Sequence, residues 1–146
     1  MKKTILICTD LSEGSSLVVQ KGLELASSIE STAHILIVVN QVINYFPTEV
    51  QFPFIDQWDI YLNLASSKIK KFQTDNPNHT IIPLTKIGDP ENVIIDTIEE
   101  IKPKYVVLGT HGFTGLSHLL MGSTAEYVIR HSTVPLLIIP FNKEKH

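Results

Sequence analysis

Four short, almost unbroken apolar runs punctuate the chain: Ile5-Leu6-Ile7-Cys8, Ile35-Leu36-Ile37-Val38-Val39, Tyr105-Val106-Val107-Leu108 and Leu136-Leu137-Ile138-Ile139. They are rich in β-forming residues, and none alternates apolar with polar positions. Each therefore reads as a strand covered on both faces. A fifth run, His79-Thr80-Ile81-Ile82-Pro83-Leu84, does alternate and carries a proline, which cannot donate to a ladder. It is expected at a sheet edge.

Between these runs the period changes to that of a helix. Trp58, Leu62, Ala65, Ile69 and Phe72 form one stripe, read as a core face. A helix beginning near Ser12 puts Val18, Leu25 and Ile29 on one side, with Gly22 permitting close approach to the sheet. Another has Asp89 as N-cap and Pro90 in its first turn, then Ile94, Ile98 and Ile101 before Pro103 stops it. A last helix opens at Gly122-Ser123-Thr124 and includes Ala125, Val128 and Ile129. Strands alternating with helices, over connections long enough for right-handed crossovers, predict an α/β fold. Its sheet is expected to be open, five-stranded and parallel, with order 3-2-1-4-5 and helices on both faces. The stretch from Gln41 to Ile55, with Tyr45, Phe46, Phe52 and Phe54, is longer than an ordinary connection. It reads as a lid, an interface, or a loop pinned over the core.

Composition narrows the picture. A chain of 146 residues supports one core, so residues 1–146 are expected to form a single domain. With 43% apolar and 18% charged residues, it lacks the profile of a disordered chain. A net charge of −3 and the lack of a dense Lys/Arg run argue against nucleic acid as a partner. No run approaches the roughly 18 apolar residues of a membrane span. Met1-Lys2-Lys3 begins like a signal peptide, but the apolar run after it is only four residues long. With a single cysteine, Cys8, read as a buried apolar residue, the expected location is the cytoplasm.

In such a sheet a ligand sits beyond the carboxyl ends of the strands where the order reverses, here between strands one and four. Thr9-Asp10-Leu11-Ser12 leaves strand one at that place. Gly109-Thr110-His111-Gly112-Phe113-Thr114-Gly115 leaves strand four and leads to Gly122-Ser123-Thr124 at a helix start. Unpaired N–H groups and the helix dipole can hold phosphates there without a cationic side chain, and Ser123 and Thr124 add hydroxyl donors. The glycines alone would equally serve turns. Their position after a buried strand, before a helix and opposite Asp10 favours an anion site. The six histidines have no metal-ligand spacing; His111 either touches a ligand through its backbone or is simply exposed. Glu126 and Arg130, four apart, read as a surface pair.

Gly109-x2-Gly112-x9-Gly122-Ser123 resembles the nucleotide-binding signature of the ATP-binding branch of the universal stress proteins. Thr9-Asp10-x-Ser12, Gly88-Asp89-Pro90 and Pro135 to Pro140 also resemble family motifs, so the resemblance runs along essentially the whole chain. It implies a Rossmann-like fold of the adenine nucleotide alpha hydrolase type. By the same resemblance Thr9 and Asp10 would contact adenine or ribose, and the end of strand two near Val39 would line the base. Gly109, His111, Gly112, Gly122, Ser123 and Thr124 would hold ribose and phosphates. The ligand implied is ATP, or ADP or AMP, with magnesium as a companion of the nucleotide. The chain departs from the family pattern at Cys8, Leu11 and Val39-Asn40, all at the adenine end.

Between Gly109 and Thr124 there is no Lys, Arg, Asp or Glu, whereas a phosphoryl-transfer site brings cations to the charge that develops. Binding is implied and turnover is not. The expectation is a nucleotide-binding regulatory module acting on a protein partner whose identity the sequence does not give. A slow ATPase or autophosphorylating protein and a nucleotide-free adaptor are the alternatives. The apolar strand Leu136–Ile139 at a sheet edge invites pairing with a second copy, so a homodimer is expected.

Overall fold

The computed structural model describes residues 2–12, 14–41, 57–110 and 121–140. Strands and helices alternate along them: β1 (Thr4–Thr9), α1 (Ser15–Ser28), β2 (Thr32–Asn40), α2 (Gln57–Asp75), β3 (Ile81–Gly88), α3 (Pro90–Ile101), β4 (Tyr105–Gly109), α4 (Ser123–His131) and β5 (Leu136–Ile139). The five strands pair in parallel in the order β3-β2-β1-β4-β5, the order expected from the sequence. Of the stretch Gln41–Ile55 only Gln41 is described; its aromatic residues lie outside the described residues.

Strand alternation divides the interior into two layers. Ile5 and Ile7 of β1, Ile35, Ile37 and Val39 of β2 and Val107 of β4 pack with α1 and α2. The residues between them, Leu6 and Cys8, Leu36 and Val38, Val106 and Leu108, pack with α3 and α4. The stripe on α2 is core, as its period predicts: Ala65 and Ile69 are fully buried, and Trp58, Leu62 and Phe72 pack against the same cluster. Asp89 is the N-cap of α3 and its carboxylate accepts from the Glu91 N–H. Just before it Gly88 takes φ +156°, where a Cβ would lie 2.8 Å from Val93. The turn from β3 into α3 thus depends on the absence of a side chain.

Three expectations need correction. The helix expected near Ser12 starts at Ser15, because Asp10 Oδ1 accepts the Ser12 N–H and residues 10–12 form a turn instead. Its core face is as expected: Val18, Val19, Leu23 and Ala26 are buried, and Leu25 and Ile29 are partly buried against the same cluster. The edge strand starts two residues later than its hydrophobic run and continues to Gly88. Finally, β5 is not covered on both faces: Leu137 is 37% exposed, and Ile129 on α4 is 43% exposed.

Gly22 lets α1 lie directly on β1, since a Cβ there would come within 2.5 Å of Ile7 Cδ1 and 2.6 Å of its Cγ1. Ile7 is completely buried and cannot swing aside into solvent. Gly22→Ala should therefore lower unfolding free energy by about 1–2 kcal/mol, the overpacking cost outweighing the helix-propensity gain of alanine. Urea unfolding checks this; an increase in stability would contradict the close approach.

Burial pushes the Cys8 thiol up to about 12. At pH 8 only about one in ten thousand such groups is thiolate, the form that reacts. Iodoacetamide should leave Cys8 unmodified in the native protein and label it fully in denaturant. Equal labelling rates in the two states would show that the thiol is not buried.

Candidate functional site

The reversal of strand order falls between β1 and β4, and a cavity of about 160 Å³ opens there at the carboxyl ends of the strands. Its floor is apolar, made by Cys8, Leu36, Val38 and Leu108 of the sheet and Ile94 of α3. All five belong to the layer shared with α3 and α4. Its rim is polar, with Thr9, Asp10 and Ser12 leaving β1, Thr110 leaving β4, and Ser123 and Thr124 opening α4. An apolar slot joined to a polar rim suits a ligand with a flat, weakly polar head and an anionic end.

The rim is also where two helix N-termini arrive. Gly14 caps α1 and Gly122 caps α4, and neither helix has a side-chain cap. The first intrahelical bond of α4 runs from Glu126 N–H to Gly122 O, so the N–H groups of Ser123, Thr124 and Ala125 precede it. The positive ends of both helix dipoles add to these donors. By contrast α3, whose Pro90 and Ile94 also line the cavity, carries its own Asp89 cap. The Gly122 N–H donates to Thr110 O at 2.6 Å, tying the start of α4 to the end of β4. Its donors for an anion are therefore those that follow Gly122.

Of the residues singled out in the sequence, Thr9, Asp10, Gly109, Gly122, Ser123 and Thr124 all line this one cavity. His111 and Gly112 lie outside the described residues. Val39 is displaced by strand parity: its side chain is fully buried in the layer packed with α1 and α2, and its neighbours Val38 and Asn40 line the cavity instead. Gly122 adopts φ −67° and ψ 157°, an ordinary extended conformation, so no positive φ requires glycine there.

Sequence reasoning passed over Lys68. Its ammonium, reaching from α2, donates to Asp10 O at 3.1 Å and Ser12 O at 3.2 Å. Burial lowers its pKa, and the negative charge of Asp10 opposes that shift. The available signal was a lysine in register with Tyr61, Ala65 and Phe72 on the apolar stripe, where a polar head must find a partner.

No helix among the described residues is long and apolar enough to cross a membrane. A universal stress protein of Methanocaldococcus jannaschii is 28% identical over 98% of this chain and 85% of its own length. Among solved structures, universal stress protein UspA from Lactobacillus plantarum superposes with a TM-score of 0.79 at 19% identity, covering 94% of this chain and 97% of that one. A universal stress protein family protein from Arabidopsis thaliana, solved with AMP bound, gives 0.61 at 21% identity over 98% and 94%. At these identities the two structures establish likeness of fold. The family model described as Universal stress protein family matches residues 1–140, and the chain belongs to that family.

Proposed function

We propose that the cavity binds an adenine nucleotide, with ATP as the physiological ligand and magnesium accompanying it. In this reading the chain is a cytoplasmic regulatory module of the stress response. The observation that carries the reading is the meeting of two helix N-termini without side-chain caps at the rim of one apolar slot. Such termini attract an anion, and the slot below accepts a base. Asp10, a carboxylate on the rim beside β1, would accept hydrogen bonds from ribose or the adenine amino group. Gly109, Gly122, Ser123 and Thr124, together with His111 and Gly112, would hold ribose and phosphates. The AMP bound to the Arabidopsis relative supports the choice of adenine.

Nothing on the described rim marks the site for phosphoryl transfer. Lys68, the cation beside Asp10, is engaged with two main-chain carbonyls and does not line the cavity. Binding that alters assembly or affinity for a protein partner is the better-supported role. The exposed Leu137 on edge strand β5, with Ile129 nearby in sequence on α4, supports a homodimer through the C-terminal strand.

Gly122→Val places a branched group at the mouth of α4, and because the backbone is extended its effect is one of space. ATP affinity should fall at least about tenfold, or 1.4 kcal/mol, with the fold retained. Asp10→Ala should weaken ATP and AMP by equal factors, since it would face the nucleoside. A folded Gly122→Val protein that binds ATP as wild type does would refute the phosphate assignment and favour the adaptor.

Sedimentation at micromolar concentration should give about twice the 16.4 kDa chain mass. A single-chain mass, with and without ATP, would count against the dimer.

A further inference from the structure

Lys68 sits on the core-facing stripe of α2, on the face of the sheet shared with α1 and opposite the layer of α3 and α4 that forms the cavity floor. Its two acceptors, Asp10 O and Ser12 O, are 58 and 56 residues away in sequence, so the contact is tertiary. Between them the turn is closed by Ser12 N–H donating to Asp10 Oδ1 at 2.9 Å. These three hydrogen bonds, with a longer one from Ser15 N–H to Ser12 O at 3.4 Å, hold residues 10–12, the part of the rim that carries its carboxylate. Packing alone does not call for this arrangement. A methionine would fill the stripe without bringing an ammonium partly out of water, a step that is unfavourable unless the group is bonded at the far end.

We propose that Lys68 is a positioning residue for the nucleoside end of the ligand: its ammonium clasps the 10–12 turn from behind and holds the Asp10 carboxylate in the cavity wall before the ligand arrives. The proposal rests on the nucleotide reading of the cavity. Without the clasp the turn samples other conformations and binding must order it again, so affinity falls even though every group that meets the ligand is still present.

The test is calorimetric titration with AMP of the wild type, Lys68→Met, Asp10→Ala and the double variant, with amide exchange of the nucleotide-free proteins alongside. Lys68→Met should bind AMP at least about fivefold more weakly, a modest loss typical of hydrogen-bonded positioning. The double variant should bind no more weakly than Asp10→Ala, because the clasp acts only through that carboxylate. The Ser12 amide should exchange faster in Lys68→Met while the amides of β1 remain protected. Wild-type affinity in Lys68→Met, additive losses in the double variant, or unchanged Ser12 exchange would each overturn the proposal. If Lys68→Met does not fold, Lys68→Gln, which lacks the charge, takes its place in the same cycle with the same criteria. A wild-type chain that binds neither AMP nor ATP overturns the nucleotide reading, and the proposal with it; wild-type binding with an unaffected Lys68 variant overturns the proposal alone.

Discussion

In a parallel sheet, a strand with right-handed crossovers leaving on either side of it has neighbours whose connections depart to opposite faces. Here that strand is β1, paired with β2 on one side and β4 on the other. The chain leaving β1 enters α1 on one face, and the chain leaving β4 enters α4 on the other. A crevice lies at the carboxyl ends where the order reverses, and both helices start at its rim. The contact of Gly22 with Ile7 holds α1 directly against this central strand. The position of the cavity and the nature of its rim both follow from that topology.

The fold was legible because its signals are strong and local. Continuous apolar runs marked the buried strands, Pro83 marked the edge, and Asp89-Pro90 marked a helix start. The departures have physical causes. Strand two was placed correctly, yet the residue facing the cavity shifted from Val39 to Val38 and Asn40, because in a run buried on both faces hydrophobicity does not reveal parity. The start of α1 moved to Ser15 because the Asp10 side chain competes for a backbone N–H, a choice decided by tertiary support. The full exposure pattern of β5 was hidden for a similar reason: an apolar edge strand reads like a covered one until its neighbours are known.

Lys68 shows what single-sequence reasoning leaves out of a site. The residues on the rim come from segments that flank strands, and their glycine and hydroxyl content draws notice. A lysine in the middle of α2 has no such context, and only the three-dimensional fold brings it within 3.1 Å of Asp10 O. In the proposed nucleotide reading the division of roles is coherent: helix termini would provide for the anion, the apolar slot for the base, and a buttressed turn for the sugar edge.

The central claim, that this cavity is an adenine-nucleotide site, is tested most directly by calorimetric titration of nucleotide-free protein with ATP and with AMP, magnesium present and absent. The account predicts saturable binding of one nucleotide per chain for both ligands, with ATP the tighter because the helix termini add to what the slot supplies. Absence of heat and of saturation with either nucleotide, from protein shown to be folded, would contradict it.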